Sequence, residues 1–126
     1  MGRLYYAHKE SESERVMYNV ETPYQAFECA LADYATDRLA HDDLLQLVEG
    51  QYRLVQSWMK ELASARESRF AVLRAHEARC RRAYLALSEG LKRAHAAITH
   101  RNRDALHQAR SIMREGHEEL SHATAA

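Results

Sequence analysis

One long stripe of apolar residues limits, more than any other feature, what this chain can fold into. Between residues 24 and 62, apolar side chains recur at steps that alternate between three and four residues, which is the repeat of a coiled-coil or bundle helix. Only Arg38 and His41 interrupt the stripe with polar side chains. Its apolar members are Tyr24, Phe27, Leu31, Tyr34, Leu45, Val48, Tyr52, Val55, Met59 and Leu62.

Signals for other secondary structure are scarce. Pro23 is the only proline, and after it the glycines are Gly50, Gly90 and Gly116. The sequence has no sustained two-residue alternation and no Asn-Gly or Asp-Gly turn, so signals for strands are missing. Because good helix formers dominate from residue 23 onward, the sequence predicts an all-α protein.

Start and stop signals divide the chain into three long helices, at about 23–64, 67–99 and 102–122. Thr22, Pro23 and Gln25 form a capping box with proline in the first turn, which marks the first start. Residues 63–69 lack large apolar side chains and predict a turn, and Asn102 is a suitable cap for the last helix. The second stripe is Phe70, Leu73, Glu77, Cys80, Tyr84, Leu87, Leu91, Ala94 and Ile98, and the third is Ala105, Leu106, Ala109, Ile112, Met113, Gly116 and Leu120.

The predicted turns imply a register between the helices. A tight turn near residue 66 sets Leu62 opposite Phe70 and Val48 opposite Tyr84. The third helix then returns along the second, so that residue 120 lies near residue 81. Residues 23–36 extend past the end of the second helix in this arrangement.

Two arrangements of the first helix are open. It either breaks near residues 36–42 and folds back as a four-helix monomer, or runs unbroken and buries Phe27, Leu31 and Tyr34 against a second copy. The uninterrupted repeat and the absence of Gly, Pro or Asn at the junction favour the continuous helix and a homodimer through residues 23–41. Arg38 and His41 on the stripe favour either the break or a polar device that sets the register of a coiled coil.

The first 21 residues form a separate, partly ordered N-terminal arm, and residues 22–126 form a single helical-bundle domain. Ser11 to Glu14 predict one helical turn toward Tyr18. Because disordered tails carry few aromatic residues, the tyrosines of the arm predict docking on the bundle or on a partner.

Charge and composition exclude several classes of partner. Lys+Arg and Asp+Glu both number 18, so the chain has no basic excess for nucleic acid. No apolar run reaches the length of a membrane span or a signal peptide. Cys29 and Cys80 are too few for a disulfide framework, and we expect a cytoplasmic protein with reduced thiols.

Histidine and cysteine spacing suggests a metal site as an alternative. Glu119 and His122 have the E-x-x-H spacing of di-iron bundles, but such a site needs a second motif. His76 and Cys80 are spaced i, i+4, as are Glu118 and His122, and the predicted register brings both pairs together. The alternative function is therefore zinc or iron binding with a redox, storage or sensing role, through His76, Cys80, Glu118, Glu119 and His122.

The sequence contains no G-x-S-x-G, phosphate loop, C-x-x-C or H-E-x-x-H motif, so we expect no enzyme. The leading hypothesis is a non-enzymatic protein–protein interaction module without a cofactor, such as an adaptor, chaperone or assembly factor. Its predicted contacts with a protein partner are Tyr5, Tyr6, Tyr18, Tyr24, Phe27, Leu31, Tyr34 and Trp58.

Overall fold

The structure is a computed structural model, and it contains four helices and an N-terminal β-hairpin. It describes residues 3–8, 15–20, 22–65 and 70–124, with side chains in 22–65 and 70–122. The helices are α1 (Pro23–Ala35), α2 (His41–Ser64), α3 (Ala71–Thr99) and α4 (Arg103–Thr124). The predicted all-α bundle is confirmed for residues 22–65 and 70–124, in its four-helix form.

The N-terminal arm contains a hairpin, which no strand signal in the sequence predicted. β1 (Arg3–His8) pairs antiparallel with β2 (Arg15–Val20), with Tyr5 opposite Tyr18. The hairpin lies against the bundle, β1 near α2 and β2 near α1. The helical turn predicted for residues 11–14 lies outside the described residues.

The helix ends follow the predicted signals where a capping side chain is present. Thr22 and Gln25 form the capping box at the start of α1, with Pro23 in its first turn. Asn102 Oδ1 accepts a hydrogen bond from the Ala105 N–H at the start of α4. These bonds satisfy amide groups that the first helical turn leaves without partners.

The core is continuous across all four helices. Its largest fully buried side chains include Phe27 of α1, Leu44 and Leu47 of α2, Leu87 and Leu91 of α3, and Met113 of α4. α1 therefore packs into the chain's own core. The overhang that motivated dimerisation through residues 23–36 is absent from this fold.

The α3–α4 pair is packed closely through two buried glycines. A Cβ on Gly116 would lie 2.9 Å from the Ala83 carbonyl oxygen and 3.0 Å from the Leu87 nitrogen. A Cβ on Gly90 would meet Met113 and would lie 3.2 Å from the Ala109 carbonyl oxygen. The two backbones can approach this closely only because both positions lack side chains.

The register of α2 against α3 differs from the predicted one. Gln56 Nε2 donates to Ser88 Oγ at 2.7 Å, and His95 Nε2 lies 3.0 Å from Glu49 Oε1. Continuing this register sets Ser64 level with Cys80, and Leu62 level with Arg82 rather than with Phe70. The predicted opposition of Leu62 to Phe70 and of Val48 to Tyr84 is therefore wrong, because α3 is displaced along α2 and Tyr84 lies beside Trp58, with ring centroids 5.6 Å apart.

Candidate interaction surface

The start of α3 projects beyond the end of α2. Ala71 and Cys80 are nine positions apart, which corresponds to about 13.5 Å of helix at 1.5 Å per residue. All side chains from residue 71 to residue 76 are exposed. We call residues 70–76 the α3 tip.

The α3 tip carries three of the four exposed large apolar side chains among the described residues, the fourth being Leu85. Phe70 is 64% exposed, Val72 80% and Leu73 49%. Leu73 belongs to the same stripe as Cys80, Leu87 and Leu91, all of which are buried. The stripe that forms the core therefore continues past its neighbouring helix into an exposed apolar surface, where the sequence predicted burial of Phe70 and Leu73.

The charge around the tip is positive. Residues 71–82 contain four arginines and one glutamate. Two of the arginines are close to α4, with Arg79 Nε 3.6 Å and Arg82 Nη2 3.8 Å from Glu119 Oε2. Arg81 is exposed on the same stretch. These contacts also confirm the predicted α3–α4 register, in which residue 120 lies near residue 81.

The aromatic and apolar residues predicted to bind a partner mostly pack within the chain. Phe27 is fully buried, while Tyr24, Leu31, Tyr34 and Trp58 are partly buried against the core. The ring centroid of Trp58 lies 5.6 Å from that of Tyr84. The β-hairpin contains Tyr5, Tyr6 and Tyr18, whose side chains lie outside the described set.

Polar contacts fix α1 on α4. Arg110 donates from Nη2 to Glu28 Oε1 at 2.9 Å and from Nε to Glu28 Oε2 at 3.0 Å. The hydrogen bonds with Glu28 are the main cause that raises the pKa of Arg110. Thr22 Oγ1 lies 2.9 Å from His117 Nδ1, and Arg114 Nε donates to the Tyr24 hydroxyl at 3.4 Å. No sequence pattern indicated this interface, because it joins residues about 80 to 95 positions apart.

The proposed metal ligands are not gathered into one site. His76 Nε2 lies 3.6 Å from Cys80 Sγ, within one helix. Glu118, Glu119 and His122 line one cleft with Arg82 and Glu115, which His76 and Cys80 do not line. Glu119 also contacts Arg79 and Arg82. Within residues 22–65 and 70–122, no three His, Cys, Asp or Glu side chains lie where they could hold a metal ion.

Burial, followed by the nearby charge of Glu77, raises the pKa of the Cys80 thiol. A raised pKa disfavours the thiolate, which is the form that ligates metals. The structure therefore adds no support for zinc or iron at Cys80, and that alternative stays a prediction.

Comparison with known proteins adds no relationship: no family model, curated protein or solved structure matches this chain. In the described part of the chain, no helix is long and apolar enough to cross a membrane.

Proposed function

We propose that this protein is a non-enzymatic helical interaction module, of the adaptor, chaperone or assembly-factor kind, that binds an acidic amphipathic helix of a protein partner at the α3 tip. The observation that carries the proposal is the continuation of the core stripe into exposed Leu73 beside exposed Val72. Exposed apolar groups rimmed by charge are typical of protein-binding surfaces.

A helix is the partner element that fits this surface. The tip is itself a helix that projects from its bundle, with apolar residues at positions 70 and 73 in helical spacing. An amphipathic helix can bury such a stripe by presenting its own residues at i, i+3, i+4 and i+7. The partner helix would pack on the α3 tip through its apolar side chains, as α4 packs on α3 within the bundle.

Charge favours an acidic partner over a second copy at this surface. The stretch 71–82 has a formal charge of +3, from four arginines and one glutamate, and Glu119 beside Arg79 and Arg82 lowers the charge of this surface to +2. Two such stretches facing each other would repel, whereas glutamates flanking the apolar face of a partner would be attracted. We therefore propose that the α3 tip binds a different protein and not a second copy of this chain.

Peptide selection tests this proposal without a known partner. A displayed library of helical peptides is selected on the purified protein and counter-selected on the double variant Val72→Glu, Leu73→Glu. The matched control is Leu85→Glu, which adds the same kind of charge at a residue that is 52% exposed but lies on another side of α3.

We expect peptides with an apolar helical stripe and flanking glutamates or aspartates. They should bind the parent and the Leu85→Glu protein equally, and the tip variant at least about tenfold more weakly, which corresponds to about 1.4 kcal/mol. Failure to enrich any peptide, enrichment of basic peptides, or equal binding to the tip variant would each contradict the proposal.

A further inference from the structure

We infer that α1 can dock on a second copy of this chain, so that two copies exchange their α1 helices and each α1–α2 segment straightens into one helix over residues 23–64. This exchange leaves the α3 tip unchanged and is independent of its proposed partner. The exchange is a specific structural form of the homodimer that the sequence predicts through residues 23–41. The sequence predicts one continuous helix over these residues, whereas the fold bends the chain between Ala35 and His41.

The bend lacks the residues that normally stop a helix. Residues 36–40 are Thr, Asp, Arg, Leu and Ala, with no glycine, proline or asparagine. The apolar repeat stays in phase from Leu31 and Tyr34 to Leu45 and Val48. The sequence is therefore compatible with a continuous helix through the junction.

The backbone at the bend is strained. Asp37 has a φ of 60°, in the left-handed region that favours glycine. The N-cap of α2 is Ala40, which provides no side-chain hydrogen bond to the first amides. Straightening would release the strain at Asp37.

The contacts that hold α1 do not depend on which chain supplies it. The bidentate pair of Glu28 with Arg110, the Thr22–His117 contact and the burial of Phe27 join α1 to the rest of the bundle. All of them can form between two copies with the same geometry. Exchange of an identical element costs little for this reason.

The contacts of the bend favour the monomer, and they include the Asp37 and Arg38 amides, which donate to the Tyr34 and Asp33 carbonyl oxygens at 3.2 and 2.8 Å. The Tyr34 hydroxyl lies 3.3 Å from His41 Nδ1, whereas these residues are about 10 Å apart along a straight helix. Leu39 is 3% exposed, and in a straight helix it would lie on the polar face. The balance between Leu39 burial and Asp37 strain sets the equilibrium between monomer and exchanged dimer.

Two opposite charge reversals test whether α1 docks between chains. Glu28→Arg places two arginines at the α1–α4 contact within one chain, and Arg110→Glu places two carboxylates there. In an exchanged heterodimer, the arginine introduced by Glu28→Arg meets the glutamate introduced by Arg110→Glu. At the other contact, the unchanged Glu28 of one chain meets the unchanged Arg110 of the other. Both contacts are then attractive, which no folded state of either variant alone achieves.

The two variants are mixed in denaturant, refolded together and measured by native mass spectrometry and thermal unfolding. We expect a one-to-one heterodimer with a dissociation constant at least about tenfold below that of either variant alone, the ratio that about 1.4 kcal/mol produces. The chain carrying both substitutions is the control for the reversed pair, and its monomer should unfold at a temperature close to that of the parent. A mixture without heterodimer, or a heterodimer no tighter than the homodimers, would overturn the inference.

Discussion

Gln51 is a polar residue on the buried face of α2, where the other large side chains are mostly apolar. It is 4% exposed, and within the described residues its Oε1 is buried without a hydrogen-bond partner. A buried acceptor without a partner costs about 1–3 kcal/mol. We expect Gln51→Met, which keeps the side-chain length, to raise the free energy of unfolding by about 1 kcal/mol in urea titrations.

Gln56 on the same helix is the matched control. Its amide donates to Ser88 Oγ at 2.7 Å, and Ser88 is itself buried. Gln56→Met removes a satisfied hydrogen bond and leaves that hydroxyl without its donor, so we expect a loss of about 1 kcal/mol. Similar effects of the two substitutions would show that Gln51 Oε1 is not destabilising in the folded protein.

Substitution of Gly116 and of Gly50 distinguishes the effect of helix propensity from the effect of packing between helices. Gly116→Ala gains about 1 kcal/mol of propensity but pushes a methyl group against Ala83 and Leu87, and we expect a net loss of about 1–3 kcal/mol. A Cβ on Gly50 would meet no atom within 4 Å, so Gly50→Ala should gain about 0.5–1 kcal/mol. Thermal unfolding of both variants checks the opposite signs, and a stabilising Gly116→Ala would contradict the close α3–α4 approach.

The starts of α1 and α4 and the inward face of α4 could be predicted from the sequence because their causes are local. The capping box at Thr22 and the cap at Asn102 are set by neighbouring residues, and the inward stripe of α4 by its own periodicity. The break after Ala35 was only an alternative, because its cause is tertiary: Leu39 is buried by the rest of the bundle, and no local residue demands the left-handed Asp37. The hairpin was missed because its strands lack a polar–apolar alternation.

The exposed surface at the α3 tip depends on how the helices are arranged in the whole molecule, so the sequence did not predict it. The stripe that includes Leu73 was predicted correctly as part of α3, but periodicity does not say where the neighbouring helix ends. The Gln56–Ser88 and Glu49–His95 contacts fix that register and expose the tip. Conversely, the sequence predicted that Phe27 contacts a partner, whereas in the fold α1 packs into the core and Phe27 is buried.

Asp37 gives a second way to shift the monomer–dimer equilibrium. Glycine at this position fits the left-handed bend and disfavours the straight helix by about 1 kcal/mol, while alanine does the reverse on both counts. The difference between Asp37→Gly and Asp37→Ala is about 2 kcal/mol per chain and about 4 kcal/mol per dimer. We therefore expect the dimer dissociation constant of Asp37→Ala to be about a thousandfold lower than that of Asp37→Gly.

Sedimentation of protein refolded at several concentrations measures both constants. Ser57, which is exposed in the middle of α2 and helical in either state, provides the control. Ser57→Gly and Ser57→Ala should differ in stability by about 1 kcal/mol but share one dissociation constant, because the same helix is present in monomer and dimer. Equal dissociation constants for the two Asp37 variants would show that the bend strain does not govern assembly, and a dimeric Asp37→Gly would require an interface that keeps the bend.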